Sequence, residues 1–483
     1  LTHSKFRRTK IVATIGPACS EKETLKAMVR AGLNVARLNF SHADHETHKR
    51  SLHTIREINQ ELNTNIAILQ DLQGPKIRIG ILKKPLKVKA GDIITLRSDI
   101  KTQEKVDNPL PIVYETFAKD VKSGDQVLID DGKVELTVAY TDQKHTVKLK
   151  VESGDLIQSR KGVNLPMTQI SVPTITEKDF KDIDFAIKHN VEWLALSFVR
   201  TADDIRVLKE LIRLKNGISR IIAKIEKPEA LANIDAIIKA ADAIMVARGD
   251  LGVEIPMEEV PAWQKRIVRK CNKFGKPVIV ATQVMESMTH NRRPTRAEAS
   301  DVANALVDGA DAVMLSGETS VGKYPVEVVA SMNRILKSVE KEDETIYYKY
   351  LDVATPDEEG LSASIITTAC KLARDTQATA IVGMTQSGYT ILQLARCRPQ
   401  AHIFAFTSNR RVLNLLNLVW GVKAYFYDKQ VSTDATVQDV HEILKNEELL
   451  SEGDIIINTG SMPLHEHGLT NMIKISRIKA KSI

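Results

Sequence analysis

The sequence predicts an α/β protein: a closed (β/α)8 barrel, a small antiparallel β-barrel lid inserted into it, and an open α/β domain at the C-terminal end. Three observations carry this reading. Short β-branched apolar runs alternate with helical patterns, the mark of βαβ units and a parallel sheet. Three such strands precede residue 75 and five follow residue 162, and eight is the number that closes a barrel. Between them the text changes to two-residue alternation broken by Gly-Asp and Asp-Gly turns.

The elements follow in order. KIVATIGP, Lys10–Pro17, is the first strand, and EKETLKAMVRAGL is its helix. NVARLNF ends the second strand at Phe40, before an amphipathic helix from about His45 to Leu62. NIAILQDL ends the third at Leu72. The insert, 75–162, alternates in LKVKAGDIITL, QVLIDDGKVELTVAY and HTVKLKVESGDLI, with turns at Gly91-Asp92, Gly124-Asp125, Asp131-Gly132 and Gly154-Asp155. After KGVNLP, Thr176 and Asp179 form a capping box that opens a helix. The strands EWLALSF, RIIAKIE, AIMVARGD, PVIVATQVM and AVMLSGE complete the barrel, which therefore comprises 1–74 and 163–341. A polar, broken linker opens the last domain, 342–483, whose strands are ATAIVGMT, IFAFT, KAYFY, DIIINTG and MIKISRI. That pattern fits an open α/β sheet.

Composition narrows the class. The 483 residues are 43% apolar and 27% charged, which excludes a largely disordered chain. No apolar run approaches the ~20 residues of a membrane span, and the basic lead-in LTHSKFRRTK lacks an apolar signal core. No membrane partner is expected, and the expected home is the cytoplasm. The net charge of +7 is spread along the chain, and aromatics are only 5%, so no basic stripe with interleaved aromatics suggests nucleic acid. Cys19, Cys271, Cys370 and Cys397 form no C-x-x-C pair and indicate neither zinc nor a disulfide framework.

In a barrel of this kind chemistry belongs at the C-terminal strand ends. Those ends carry Thr14; Arg37, Asn39, Ser41 and His42; Asp71 and the text through Arg78; Ser197; Lys224 and Glu226; Arg248, Gly249 and Asp250; Thr282 and Gln283; Ser316 and Glu318. Lys224 and Glu226, two apart, share one strand face. One such pair reads equally well as a structural ion pair. Polar groups at every strand end do not, because burying unpartnered charge costs several kcal/mol each. Glu226 and Asp250 are hard oxygen ligands on adjacent strands, a set suited to Mg²⁺ shared with substrate and water. Gly249 lets an anion approach the main chain. Arg37 and Lys224 add two cations, a combination that fits phosphoryl transfer. No P-loop and no suitably placed G-x-G-x-x-G occurs.

At these residues the chain resembles the pyruvate kinases. TKIVATIGPA, VARLNFSH, KGVNLP, IIAKIEKPEAL, IMVARGDLGVEIP, ATQVMESM, RPTRAEASDVANA and VMLSGETSVGKYP come in that family's order, and the likeness runs essentially end to end. The resemblance implies conversion of phosphoenolpyruvate, Mg-ADP and a proton to pyruvate and ATP, with the enolpyruvate chelated by the metal. It implies that Lys224 and Arg37 flank the transferring phosphoryl group and that Glu226 and Asp250 hold Mg²⁺ or Mn²⁺. The main chain at Ala247 to Asp250, Gly249 included, and the Thr282 hydroxyl would cradle the substrate carboxylate. Thr282 would also border the enolate face, with Ser316 and Glu318 in a hydrogen-bond relay. Arg78, His42, Lys178 and Asn39 would lie by the nucleotide phosphates, and Asp131 would ride on the lid. A homotetramer is implied as well.

Two rivals share the rim. A metal-dependent pyruvate-enolate aldolase or lyase needs neither the lid nor the Arg37–Lys224 pair, and a catalytically dead sensor would have lost Lys224 or a metal carboxylate. Regulation and ion dependence also have expectations. Thr385, Ser387, Gly388 and Thr390 form a candidate phosphate nest for an effector. Gln386 stands where members activated by fructose 1,6-bisphosphate often have Lys, and the loop from Ser461 to His467 has no Lys, Arg or Trp. Weak or absent activation by that sugar is expected. K⁺-dependent members hold the ion with groups matching Asn39, Ser41, Asp71 and the Leu72 carbonyl, and have Glu where this chain has Lys76. A lysine there can supply the charge in place of K⁺, so K⁺ is not expected to be required.

Overall fold

The computed structural model describes residues 6–100, 109–166, 168–351, 361–429, 432–462 and 470–478. Eight parallel strands close a barrel in sequential order: Lys10–Thr14, Val35–Asn39, Ala67–Asp71, Trp193–Leu196, Arg220–Ile225, Ala243–Ala247, Val278–Ala281 and Ala312–Leu315. They are called the first to eighth barrel strands below. All are apolar on both faces apart from a few positions, as strands buried between a packed lumen and an outer ring of helices must be. The lumen holds Val12, Leu69, Trp193, Ile222, Met245, Ile279 and Met314. Leu415 and Leu418 of the C-terminal domain join this cluster and plug the N-terminal end of the barrel.

Strands and helices end somewhat earlier than the sequence patterns do. The fifth strand stops at Ile225, so Glu226 is the first residue beyond it, and the sixth stops at Ala247, where Arg248 opens the helix Arg248–Glu254. The capping box at Thr176 and Asp179 is formed in both directions. It starts the helix Glu177–Lys188, which packs beside the third and fourth strands.

The insert folds around its own core, from Ile77 and Ile79 to Leu165 and Ile170. Its main sheet has six strands, mostly antiparallel. It joins the barrel through two adjacent passes of chain, bridged at Arg78 and Gly162. The C-terminal domain has a five-stranded sheet, ordered Val422–Phe426, His402–Thr407, Ala380–Met384, Ile455–Gly460, Met472–Arg477, with only the last antiparallel. All four cysteines are buried and none is in a disulfide. Of the loop expected to bear on sugar-phosphate activation, 463–467 lies outside the described residues. Among the described residues no helix is long and apolar enough to cross a membrane.

Candidate active site

Register builds the site. Thr14 of the first strand pairs with Arg37 of the second, and Asn39 pairs with Asp71 at the end of the third. The Arg37 guanidinium donates from Nε and Nη2 to Asp71 Oδ2 at 2.9 and 2.6 Å, and from Nη1 to Thr14 Oγ1 at 2.7 Å. Lys224 Nζ reaches Asp71 Oδ1 at 3.2 Å, Glu226 Oε1 at 2.9 Å and Ser197 Oγ at 2.7 Å. Ser197 in turn donates to the Leu72 carbonyl at 2.7 Å. Glu226 Oε2 accepts the Phe198 N–H at 2.7 Å. The fifth, fourth and third strands therefore present one connected charge network at the rim.

The network is buried, and burial sets its protonation. Lys224 and Arg37 side chains are only 12% and 11% exposed, and Asp71 2%. Burial works to discharge Lys224, but Asp71, Glu226 and Asp250 together hold its pKa above the ordinary lysine value. Burial likewise opposes ionisation of Asp71, and Lys224 and Arg37 overcome it and hold that carboxyl below its usual range. Glu226 goes the other way: burial, aided by the charge of Asp250, raises it against the pull of Lys224. A carboxylate crowded by a second negative charge is a place where a cation is favoured. Among the described residues no group of three His, Cys, Asp or Glu could hold a metal by itself. Glu226 and Asp250 fit an ion that takes its other ligands from substrate and water, as Mg²⁺ usually does.

Beyond the sixth and seventh strands a second cluster forms. The Gly249 N–H donates to Thr282 Oγ1 at 2.7 Å, and that hydroxyl donates to the Ala281 carbonyl at 2.6 Å. A Cβ at Gly249 would lie 3.2 Å from Thr282 Oγ1, tighter than such contacts ordinarily are. At the eighth strand Glu318 accepts from the Ser316 N–H at 2.6 Å and the Met285 N–H at 3.2 Å, and burial raises its pKa. Ser316 Oγ is buried without a hydrogen-bond partner.

The nucleotide candidates are more dispersed. Lys178 donates to the Phe40 carbonyl at 2.7 Å and to Asp182 at 2.6 Å, and His45 shares that carboxylate at 2.7 Å. His42 is held below the ordinary histidine value by burial and by the positive charges of Lys76, Arg78 and Arg37. Asn39 Oδ1 accepts the Ser41 N–H at 3.1 Å. Arg78 donates to the Arg160 carbonyl across the lid hinge at 2.8 Å. Lys76 is exposed, and Asp131 is exposed at a hairpin tip of the insert with φ of +57°. Thr385, Ser387, Gly388 and Thr390 sit far from this rim, in the C-terminal domain. There the Gly388 N–H donates to Thr385 Oγ1 at 2.9 Å, and the Ser387 carbonyl accepts from Arg220 at 2.8 Å, at the opposite end of the strand that carries Lys224.

The sequence gives no role to the side chains of Arg248, Asp301 or Asp182. Arg248 bonds Asp301 and the carbonyls of Thr282 and Gln283. Its position at a strand end was a signal, as was the four-residue spacing of Asp182 from Lys178 on one helix; Asp301, within another helix, carried none.

The family model "Pyruvate kinase, barrel domain" matches residues 6–329, and "Pyruvate kinase, alpha/beta domain" matches residues 363–476. The chain is 43% identical over 477 residues to the pyruvate kinase of Geobacillus stearothermophilus, covering 97% of this chain and 80% of that one. It is 42% identical over 478 residues to pyruvate kinase 2 of a Synechocystis strain, covering 98% and 80%. A crystal structure of a pyruvate kinase from Cryptosporidium parvum superposes with a TM-score of 0.92 at 36% identity, covering 98% of this chain and 96% of that one.

Proposed function

The chain belongs to the pyruvate kinase family, as a glycolytic phosphotransferase that converts phosphoenolpyruvate, ADP and a proton to pyruvate and ATP, and we propose how its residues divide that work. The observation that carries the assignment of roles is the Arg37–Asp71–Lys224–Glu226 network at the barrel rim.

Lys224 and Arg37 take the transferring phosphoryl group between them. Asp71 orients both cations, so little reorganisation remains when charge moves. The main chain at Gly249 and Asp250 and the Thr282 hydroxyl hold the substrate carboxylate. Thr282 also borders the carbon that gains the proton, and Ser316 with Glu318 continues the hydrogen-bond path; the partnerless Ser316 hydroxyl and the raised pKa of Glu318 support this. Glu226 and Asp250 hold the divalent metal, Mg²⁺ or Mn²⁺, which supplies charge neutralisation when bound. Arg78, His42, Lys178 and Asn39 receive the nucleotide phosphates, and Asp131 arrives with the lid, whose closure keeps water from competing with ADP.

Three further readings belong to this proposal. The slot of Asn39, Ser41, Asp71 and the Leu72 carbonyl works without K⁺ because Lys76 brings a positive charge to the neighbourhood of His42. The Thr385–Thr390 loop takes a phosphate-bearing effector, with fructose 1,6-bisphosphate a weak one. The enzyme works as a cytoplasmic homotetramer. A coupled assay for ATP formation from phosphoenolpyruvate and ADP, with Mg²⁺ and with or without K⁺, tests the core of the reading: turnover is expected in both, and its absence from both in folded protein refutes it.

A further inference from the structure

Thr282 and Gln283 leave the seventh strand with φ of +65° and +51°. A β-branched residue rarely occupies that left-handed region, because its Cβ substituents crowd the backbone. Such a conformation persists only where the surroundings over-determine it. Here the Thr282 hydroxyl is bonded to the Gly249 N–H and the Ala281 carbonyl, and one guanidinium reaches the carbonyls of both residues. Arg248 Nη2 donates to the Thr282 carbonyl at 2.9 Å and to the Gln283 carbonyl at 3.2 Å. Two parallel bonds, each 2.8 Å, join Nη1 and Nη2 to the Asp301 carboxylate, and Nη1 also reaches Gln264 Oε1 at 3.3 Å.

Arg248 is the first residue after the sixth strand, whereas Asp301 and Gln264 belong to the outer helices Arg296–Asp308 and Val260–Phe274. The outer ring thus grips a side chain that ties the exits of two adjacent strands together. The Thr282 hydroxyl, meanwhile, accepts from the Gly249 N–H, one residue along from Arg248. The fork geometry matters: a lysine could not serve two carbonyls and a carboxylate in one plane. Asp301 is 33% exposed, so its pairing with Arg248 contributes little to stability on its own account. Its use is geometric.

We propose that Arg248 and Asp301 are a positioning pair that holds the Thr282–Gln283 backbone in its left-handed form and so aims the Thr282 hydroxyl at the face of the enolate that is protonated. The catalytic half of this proposal rests on the role given to Thr282 above; the structural half does not.

The test uses Asp301→Asn, Asp301→Glu and the double variant Asp301→Asn with Gln283→Gly. Deuterium exchange into the C3 hydrogens of pyruvate follows the proton step apart from phosphoryl transfer. Amide hydrogen exchange over residues 279–285 follows the backbone without reference to activity. Asp301→Asn is expected to slow C3 exchange and turnover by about 100-fold, the scale of a roughly 1 Å misplacement, with half-saturation by phosphoenolpyruvate little changed. Amides 281–284 should exchange faster while those of the helix 296–308 do not. Asp301→Glu should restore part of the loss. Gln283→Gly should recover about tenfold in the Asp301→Asn background, since glycine takes a positive φ without the clamp. A variant that melts earlier but keeps parental C3 exchange per folded molecule overturns the proposal, as does the absence of glycine rescue. Thr282→Val with parental C3 exchange removes the catalytic half, and unaltered amide exchange in Asp301→Asn removes the structural half.

Discussion

The two ends of the barrel solve one problem, turning the chain between strand and helix, with different residues. At the N-terminal end, where helices return to strands, left-handed positions fall on Gly32, Asn63, Asn190, Asn216, Gly275 and Gly309. Glycine and asparagine take that conformation cheaply, which is why they end helices. At the C-terminal rim the left-handed positions include Phe198, Thr282 and Gln283. Each costs about 1–3 kcal/mol that a glycine would not. The charges differ in the same sense. At the base Asp311 has both oxygens bonded: Oδ1 by Arg398 and the Trp420 N–H, Oδ2 by Arg398 and the Val278 N–H. At the rim Asp71 Oδ1 has an ion-pair neighbour at 3.2 Å but no hydrogen bond, and Ser316 Oγ has none either. The base has its own partnerless atoms, Thr9 Oγ1, Trp193 Nε1 and Arg398 Nε, but its carboxylate is fully bonded, whereas the rim combines backbone strain with an open carboxylate oxygen suited to a ligand.

The largest expected effect lies at the rim. Lys224→Met should lower ATP formation by about 1,000-fold, the scale of removing a group that stabilises transition-state charge. Divalent-metal binding, measured with Mn²⁺ by electron paramagnetic resonance, should survive because Glu226 and Asp250 remain. Turnover within tenfold of the parent would remove Lys224 from the mechanism and blur the contrast between the ends.

The base should answer in stability instead. Arg398 is buried, donates to Asp311, Asn272 and the Gly309 carbonyl, and lies 4.9 Å from the centre of the Trp420 ring. Arg398→Ala strands the Asp311 charge, so a loss of about 3–5 kcal/mol is expected. Turnover per folded molecule should change little. A denaturation midpoint equal to the parent's, or a kinetic defect without a stability defect, would contradict this division.

A smaller effect separates the rim from its approaches. Unmodified enzyme assayed with a bulky quaternary ammonium salt in place of K⁺ should keep nearly full activity with Mg²⁺. Lys76→Glu should lower activity several-fold and make it partly K⁺-dependent, because a flexible ammonium beside the site is then lost. An order-of-magnitude stimulation of the parent by K⁺ at fixed ionic strength would show that the exposed Lys76 does not substitute for the ion.

The barrel strands were legible because parallel strands buried on both faces read as unbroken apolar runs, as in AIMVA and VIVA. Rim residues were legible because polar groups close every barrel strand; Lys224 with Glu226 alone reads equally well as a structural ion pair. Their partners were legible only in part. The register that sets Arg37 against Thr14 and Asn39 against Asp71 is a property of barrel closure, and no local pattern encodes it. Asp301 reads as a solvated helix carboxylate until packing brings Arg248 to it, whereas Asp182 meets Lys178 one turn away on its own helix. The plug of Leu415 and Leu418 beneath Val12 and Trp193 was invisible for the same reason: nothing in NLLNLV says which surface it will cover.

The smallest expected effect sharpens the account of the base. Lys10, the first residue of the first strand, is buried and donates to the Val422 carbonyl at 2.7 Å. Burial, aided by the Arg7 charge, lowers its pKa to about 7, against the opposing pull of Glu340 and Asp311. The unfolded chain keeps the ordinary lysine value of about 10.4. Between these two values the unfolded state binds a proton that the folded state does not, so stability falls as pH drops from about 10.4 to 7 and levels off below. Lys10→Met removes the linkage. The melting temperature of the parent, relative to that of Lys10→Met, should therefore rise by a few degrees between pH 7 and pH 9.5. A constant difference across that range would mean that Lys10 stays charged in the folded protein, with the Val422 carbonyl and the nearby carboxylates sufficing to hold it. The base would then tolerate a buried ammonium as the rim does at Lys224.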